Sequence, residues 1–88
     1  MSNENRVGKR MKEPQTPIGR RLRTLRLERG WSQEKLAEVS DLTRDTIARI
    51  ERGCHHTPRL ITIELLADAL GVSPDYLTTG RGNPNKTP

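Results

Sequence analysis

No phenylalanine occurs in the 88-residue sequence, and tryptophan and tyrosine occur once each. A core with almost no large rings, drawn from a chain only 31% hydrophobic, has to be small and aliphatic, which favours a few short helices over an extensive sheet. The single cysteine, Cys54, excludes an intrachain disulfide and suits a reducing compartment. No apolar run is long enough to span a bilayer, and the polar, charged N-terminus lacks a signal-peptide pattern, so a cytoplasmic protein without membrane partners is expected. Acid is the minority charge, with 11 Asp plus Glu against 16 Lys plus Arg for a net charge of +5. That balance favours a polyanionic partner. The chain also offers no nucleophile–base pair and no phosphate-cradling glycine loop, and the adjacent Cys54, His55 and His56 cannot easily converge on one ion. An enzyme is therefore not expected, nor a catalytic residue, cofactor or metal.

What is present is organised around residues 31–53, WSQEKLAEVSDLTRDTIARIERG. Ser32 and Thr43 each stand where a side-chain oxygen can cap a helix N-terminus, and each is followed by residues that continue a helix. Two starts so close together imply a tight turn between two short helices. Leu36, Ala37 and Ser40 form an inward face on the first helix, and Ile47 and Ile50 form one on the second. Arg44, Asp45, Thr46 and, about a turn later, Arg49 then point outward. A helix pair with long hydrogen-bonding side chains at the start of its second member has the form needed to lay that helix in the major groove of DNA. These four residues are the candidate base readers. Arginine donates two hydrogen bonds to guanine and aspartate accepts one from cytosine, which suits half-sites containing G·C pairs. Asp45 has an alternative task, orienting Arg44 or Arg49. Thr43 caps its helix and can also touch a phosphate, while Arg52, just before the closing Gly53, is placed for the phosphate backbone. Glu34, Lys35 and Glu38 fall on the solvated face.

Taken together, Ser32-Gln33, Leu36-Ala37, Thr43, Ile47 and Ile50-Glu51-Arg52-Gly53 resemble the helix-turn-helix of the Xre family, which includes the lambdoid phage repressors and Cro proteins. The likeness runs from about Ile18 to Gly80 and implies an all-α, five-helix, lambda-repressor-like DNA-binding domain. It implies further that Arg26 pairs with Glu51 in a partly buried, structural salt bridge. Gln33 would bind phosphate while bracing the second helix, and its place at a helix N-terminus supports that role. By the same resemblance Arg59 contacts phosphate. Asp41 departs from the pattern, because the family usually has glycine at this left-handed turn position, which aspartate tolerates at some cost.

On the N-terminal side of the pair, Pro17 suits a first helical position, and Ile18, Leu22 and Leu25 recur at helical spacing to about Arg29, where Gly30 ends the helix. The same stretch holds Arg20, Arg21, Arg23, Arg26 and Arg29 against Glu28 alone. Phosphate contact from this helix is expected, with Arg21 as the candidate. Trp31 precedes the Ser32 cap as a hydrophobic staple. On the C-terminal side, Leu60, Ile63, Leu66, Ala67 and Leu70 form a stripe ended by Gly71, with Ile61 and Leu65 beside it. Ser73-Pro74-Asp75 then opens a short fifth helix that Gly80 terminates. Family members often dimerise near this point; Val72, Tyr76 and Leu77 are candidates for a two-fold contact, or pack within the monomer.

Residues 1–16, with Arg6, Lys9, Arg10 and Lys12, read either as a flexible basic arm along DNA or as a solvated tail, residues 17–80 as the DNA-binding domain, and residues 81–88 as a fraying tail. His55 or His56, in the loop after the second helix of the pair, is placed to touch DNA. The expected function is a sequence-specific transcriptional regulator, a repressor that binds a dyad-symmetric double-stranded DNA operator as a homodimer. The alternative is a protein-interaction module or antitoxin-type protein for which DNA binding is secondary.

Overall fold

Side-chain caps mark where four of the five helices among the described residues begin. The computed structural model describes residues 16–53 and 58–84, and among them are five helices and no strand: α1 (Pro17–Glu28), α2 (Gln33–Ser40), α3 (Arg44–Arg52), α4 (Leu60–Leu70) and α5 (Pro74–Thr79). The basic arm, the contacts expected of His55 and His56, and the last four residues lie outside the described residues. Ser32 Oγ accepts from the Lys35 N–H at 3.0 Å, Thr43 Oγ1 from Thr46 at 3.1 Å, and Ser73 Oγ from Tyr76 at 3.0 Å. Each cap satisfies an amide that the helix itself leaves unpaired, a contribution of about 1 kcal/mol.

Both ends of the folded unit reach further than the expected boundaries of 17 and 80. Thr16 caps α1, its Oγ1 accepting from Gly19 N at 3.0 Å, so it belongs to the domain and not to a tail. At the other end the chain folds back on the start of α5. Ser73 N donates to Asn83 O at 2.9 Å, and Asn83 N donates to Ser73 Oγ at 3.1 Å. The stretch from Arg81 to Asn83 is thus tied down where fraying was expected.

The helices pack as α1 against α3 and α5, α2 against α3 and α4, and α4 against α5. Their shared core is aliphatic, with Leu22, Leu36, Ile47, Ile50, Leu66, Leu70, Val72 and Leu77 fully buried and Trp31 and Tyr76 packed at its margin. Leu60 differs from expectation, and Val72 and Leu77 follow the second of their two alternatives, packing within the monomer. Leu60 stands at the first position of α4, at the rim of the apolar stripe, and is 67% exposed. Val72 and Leu77 have no exposed surface, which removes them from any two-fold contact. For Val72 the cause is the chain reversal at Gly71, whose left-handed backbone (φ 73°) lets Val72 N donate to Ala67 O at 3.0 Å and carries its side chain inward. Leu77 lies on the face of α5 that covers α1 and α4.

Gly19 lets α1 come close to α3. A methyl group there would run into the carbonyl oxygen of Ile50 and lie 3.1 Å from that of Glu51. Both carbonyls are backbone near the end of α3, so the absence of a side chain at residue 19 sets how near the two helices lie.

Candidate nucleic-acid interface

The pair α2 and α3 is joined by a turn that depends on Asp41. This residue has φ 65° and ψ 32° and closes α2, while Leu42 N donates back to Ala37 O at 3.0 Å. It is the only non-glycine residue with positive φ among the described residues. The turn then delivers Thr43 as the cap of α3, whose Ile47, Ala48, Ile50 and Glu51 are buried. With four of its nine residues turned inward, α3 presents Arg44, Asp45 and Arg49 to solvent. Thr46 is half-buried, and its hydroxyl shares a 2.9 Å hydrogen bond with that of Thr43.

A buried polar network holds this helix in place. Arg26 on α1 meets Glu51 on α3 side-on, Nε donating to Oε2 at 2.7 Å and Nη2 to Oε1 at 2.9 Å, and its Nη1 donates to the Trp31 carbonyl at 2.9 Å. Gln33, the first residue of α2, adds a hydrogen bond from Nε2 to Glu51 Oε1 at 3.2 Å. Arginine's planar fork matches a carboxylate, and three donors on one carboxylate satisfy a group that would be costly to bury alone. The side chains of the pair are only 10% and 6% exposed. The hydrogen bond to Glu51 raises the Arg26 pKa, burial opposes it, and the charges of Glu51 and Glu34 add to the rise. The network joins α1, the entry to α2 and the end of α3 in one piece. Gln33 keeps a second amide N–H and a backbone N–H at the start of α2, both suited to an anion.

Beside this network lies an open cleft of about 340 Å³ whose walls include Arg23, Gln33, Arg44, Asp45 and Arg52. Three arginines thus surround the entry to α2 and the outer face of α3. Two carboxylates lie against exposed arginines of α3. Arg44 Nε lies 3.1 Å from Glu34 Oε2 across the two helices, and Arg49 Nε lies 3.3 Å from Asp45 Oδ2 one turn along α3. Asp45 thus lies beside Arg49, one of the two arginines that its sequence position allowed it to pair with.

Arg21, expected at phosphate, is occupied elsewhere. Its Nη1 donates to the Leu77 carbonyl at 2.8 Å, and its guanidinium lies against Gly80, so it secures the end of α5. Arg29 has a similar task, donating to the carbonyls of Leu25 and Leu70. Arg23, which sequence reasoning did not single out, is the α1 arginine that borders the α3 cleft. Helical geometry holds the signal that was missed. Arg23 is one turn before Arg26 and shares its face, whereas Arg21 is rotated well away from it. Arg52 and Arg59 are both exposed.

Comparison with known proteins adds a family to this geometry. A helix-turn-helix family model matches residues 22–77. The chain is 42% identical over 55 residues to the immunity repressor protein of Bacillus phage phi105, an overlap covering 62% of this chain and 38% of the repressor. Across the curated relatives it matches first, this chain spans 38%, 57% and 49% of their length. Among solved structures, the restriction-modification controller protein C.AhdI from Aeromonas hydrophila superimposes with a TM-score of 0.66 at 42% identity, over 70% of this chain and 92% of that one. The biofilm master regulator SinR, solved in complex with DNA, gives a TM-score of 0.66 at 32% identity over 68% of this chain and 95% of that one.

Proposed function

Since the chain belongs to the helix-turn-helix family, of the Xre type, we propose that it is a sequence-specific DNA-binding transcriptional regulator, a repressor that occupies a dyad-symmetric operator as a homodimer. One observation carries the reading. Arg44, Asp45 and Arg49 stand exposed on a helix whose opposite face is buried and whose position is held by the Arg26, Glu51 and Gln33 network. A protein adapter has no need to brace a helix in order to project that set of side chains. The similarity to SinR, which was crystallised with DNA, supports the same partner.

In this reading α3 enters the major groove, where Arg44 and Arg49 donate to guanine and Asp45 and Thr46 complete the contact. Gln33, Thr43, Arg52, Arg59 and Arg23 hold phosphates on either side and set the register of the helix without reading sequence. The working compartment is the cytoplasm, where the DNA lies. The two-fold partner is a second copy docking through the face shared by α4 and α5, where Ile61, Leu65 and Pro74 border a shallow cleft and Tyr76 is partly exposed.

Selection from a random duplex pool at near-physiological salt tests the proposal directly. An enriched inverted repeat with half-site centres about 10 bp apart is the expected result. Weak binding of every sequence, lost as salt rises, would leave only the electrostatic attraction and overturn the reading.

A further inference from the structure

Glu34 sits at the second position of α2, in a place that sequence alone assigns to the solvated face. Its carboxylate is nevertheless 3.1 Å from Arg44 Nε on the neighbouring helix. Both side chains are more than half exposed, 60% for Arg44 and 69% for Glu34, and an ion pair so open to water adds little to folding stability. Its effect falls on Arg44 itself. The closest approach is at Nε, on the side of the stem, so the pairing does not require the distal N–H groups. Arg49 is engaged in the same way, through Nε, by Asp45. Arg44 and Arg49, two of the three exposed arginines of α3, thus each have a carboxylate beside the stem, one from α2 and one from α3 itself.

We propose that Glu34 is a positioning residue for base recognition: by holding Arg44 at Nε across the α2–α3 gap, it presents the distal edge of the guanidinium to one base and so sharpens preference at that position. A long arginine side chain loses rotamer freedom when it docks, and one already restrained loses less. The gain from ordering a single side chain corresponds to about 2- to 10-fold in binding. It applies only where the restrained geometry matches the base, so it appears as discrimination between bases. A simple solvated carboxylate at the same place would do the opposite. It would repel phosphate, and removing it would tighten binding to all sequences alike.

The inference rests on the DNA-reading function, and the experiment separates the two. The unsubstituted protein, Glu34→Gln, Arg44→Ala and the double variant are each taken through selection from a random duplex pool, with binding constants measured for the preferred site and its single-base variants. The expected result is that Glu34→Gln lowers discrimination by about 2- to 10-fold at the one position per half-site that Arg44→Ala also flattens. In the Arg44→Ala background, Glu34→Gln then changes discrimination no further. A uniform rise in affinity for every sequence with base preference intact would overturn the positioning role. If the unsubstituted protein selects no sequence, the DNA-reading function fails and the proposal fails with it. Thermal unfolding of each variant, expected to match the unsubstituted protein, separates these outcomes from loss of fold.

Discussion

Glu51 shows how much can depend on one side chain. It is 5% exposed and accepts from both Arg26 and Gln33, so removing its charge leaves the Arg26 guanidinium buried without its counter-charge. Glu51→Ala should cost about 3 to 5 kcal/mol, which for a domain of this size lowers the melting temperature by more than about 10 °C in a thermal melt. The pH dependence has a definite sign. The pKa of Arg26 is raised in the folded state, so the stability this cation contributes is fully present below the ordinary arginine range and is lost only as pH rises through the raised value. Arg26 itself should therefore give no pH dependence to stability between pH 5 and about 9. Two neighbouring arginines on α1 should behave differently from each other. Arg23→Ala, at the α3 cleft, should weaken DNA binding evenly across sequences and reduce the salt slope by about 1, with the melting temperature unchanged. Arg21→Ala, which strips the Leu77 carbonyl of its donor, should lower stability by about 1 kcal/mol and leave the salt slope as it is.

At the scale of elements, two backbone positions govern how α3 is presented. Asp41 holds a left-handed conformation that glycine adopts at no steric cost. Asp41→Gly should therefore stabilise the turn by up to about 1 kcal/mol, seen as a higher denaturation midpoint with an unchanged m-value. Gly19→Ala should act in the other direction. The added methyl meets backbone of α3 that no rotamer change can move aside. A loss of about 1 to 3 kcal/mol is expected, together with weaker operator binding if the strain is relieved by a shift of α3, the helix proposed to enter the groove. A variant that kept full affinity for the operator would show that the end of α3 yields without disturbing its start.

At the scale of the whole molecule, formal charge divides unevenly between the two ends of the folded chain. Residues 17–29 carry five arginines against one glutamate, whereas residues 54–80 hold Arg59 against Glu64, Asp68 and Asp75. The exposed Ile61 lies on that second, more acidic end beside Leu65 and Pro74. Ile61→Asp should shift sedimentation toward the monomer and weaken binding to a full inverted repeat far more than to a single half-site. Sequence alone determined the helices, because caps, glycine stops and apolar spacing are local: Ser32, Thr43 and Ser73 begin α2, α3 and α5, and most of the expected stripes are buried. The motif residues also pointed to the pairing of Arg26 with Glu51, since the resemblance carries that contact with it. Only the tertiary structure decided what depends on distance between elements. It turned Arg21 to α5 and set Arg23 at the cleft, drew Val72 and Leu77 into the core, made Gly19 a point of close approach and brought Glu34 to Arg44. Helical periodicity gives the direction of a side chain from its own axis, but the partner it meets depends on where the other axes lie.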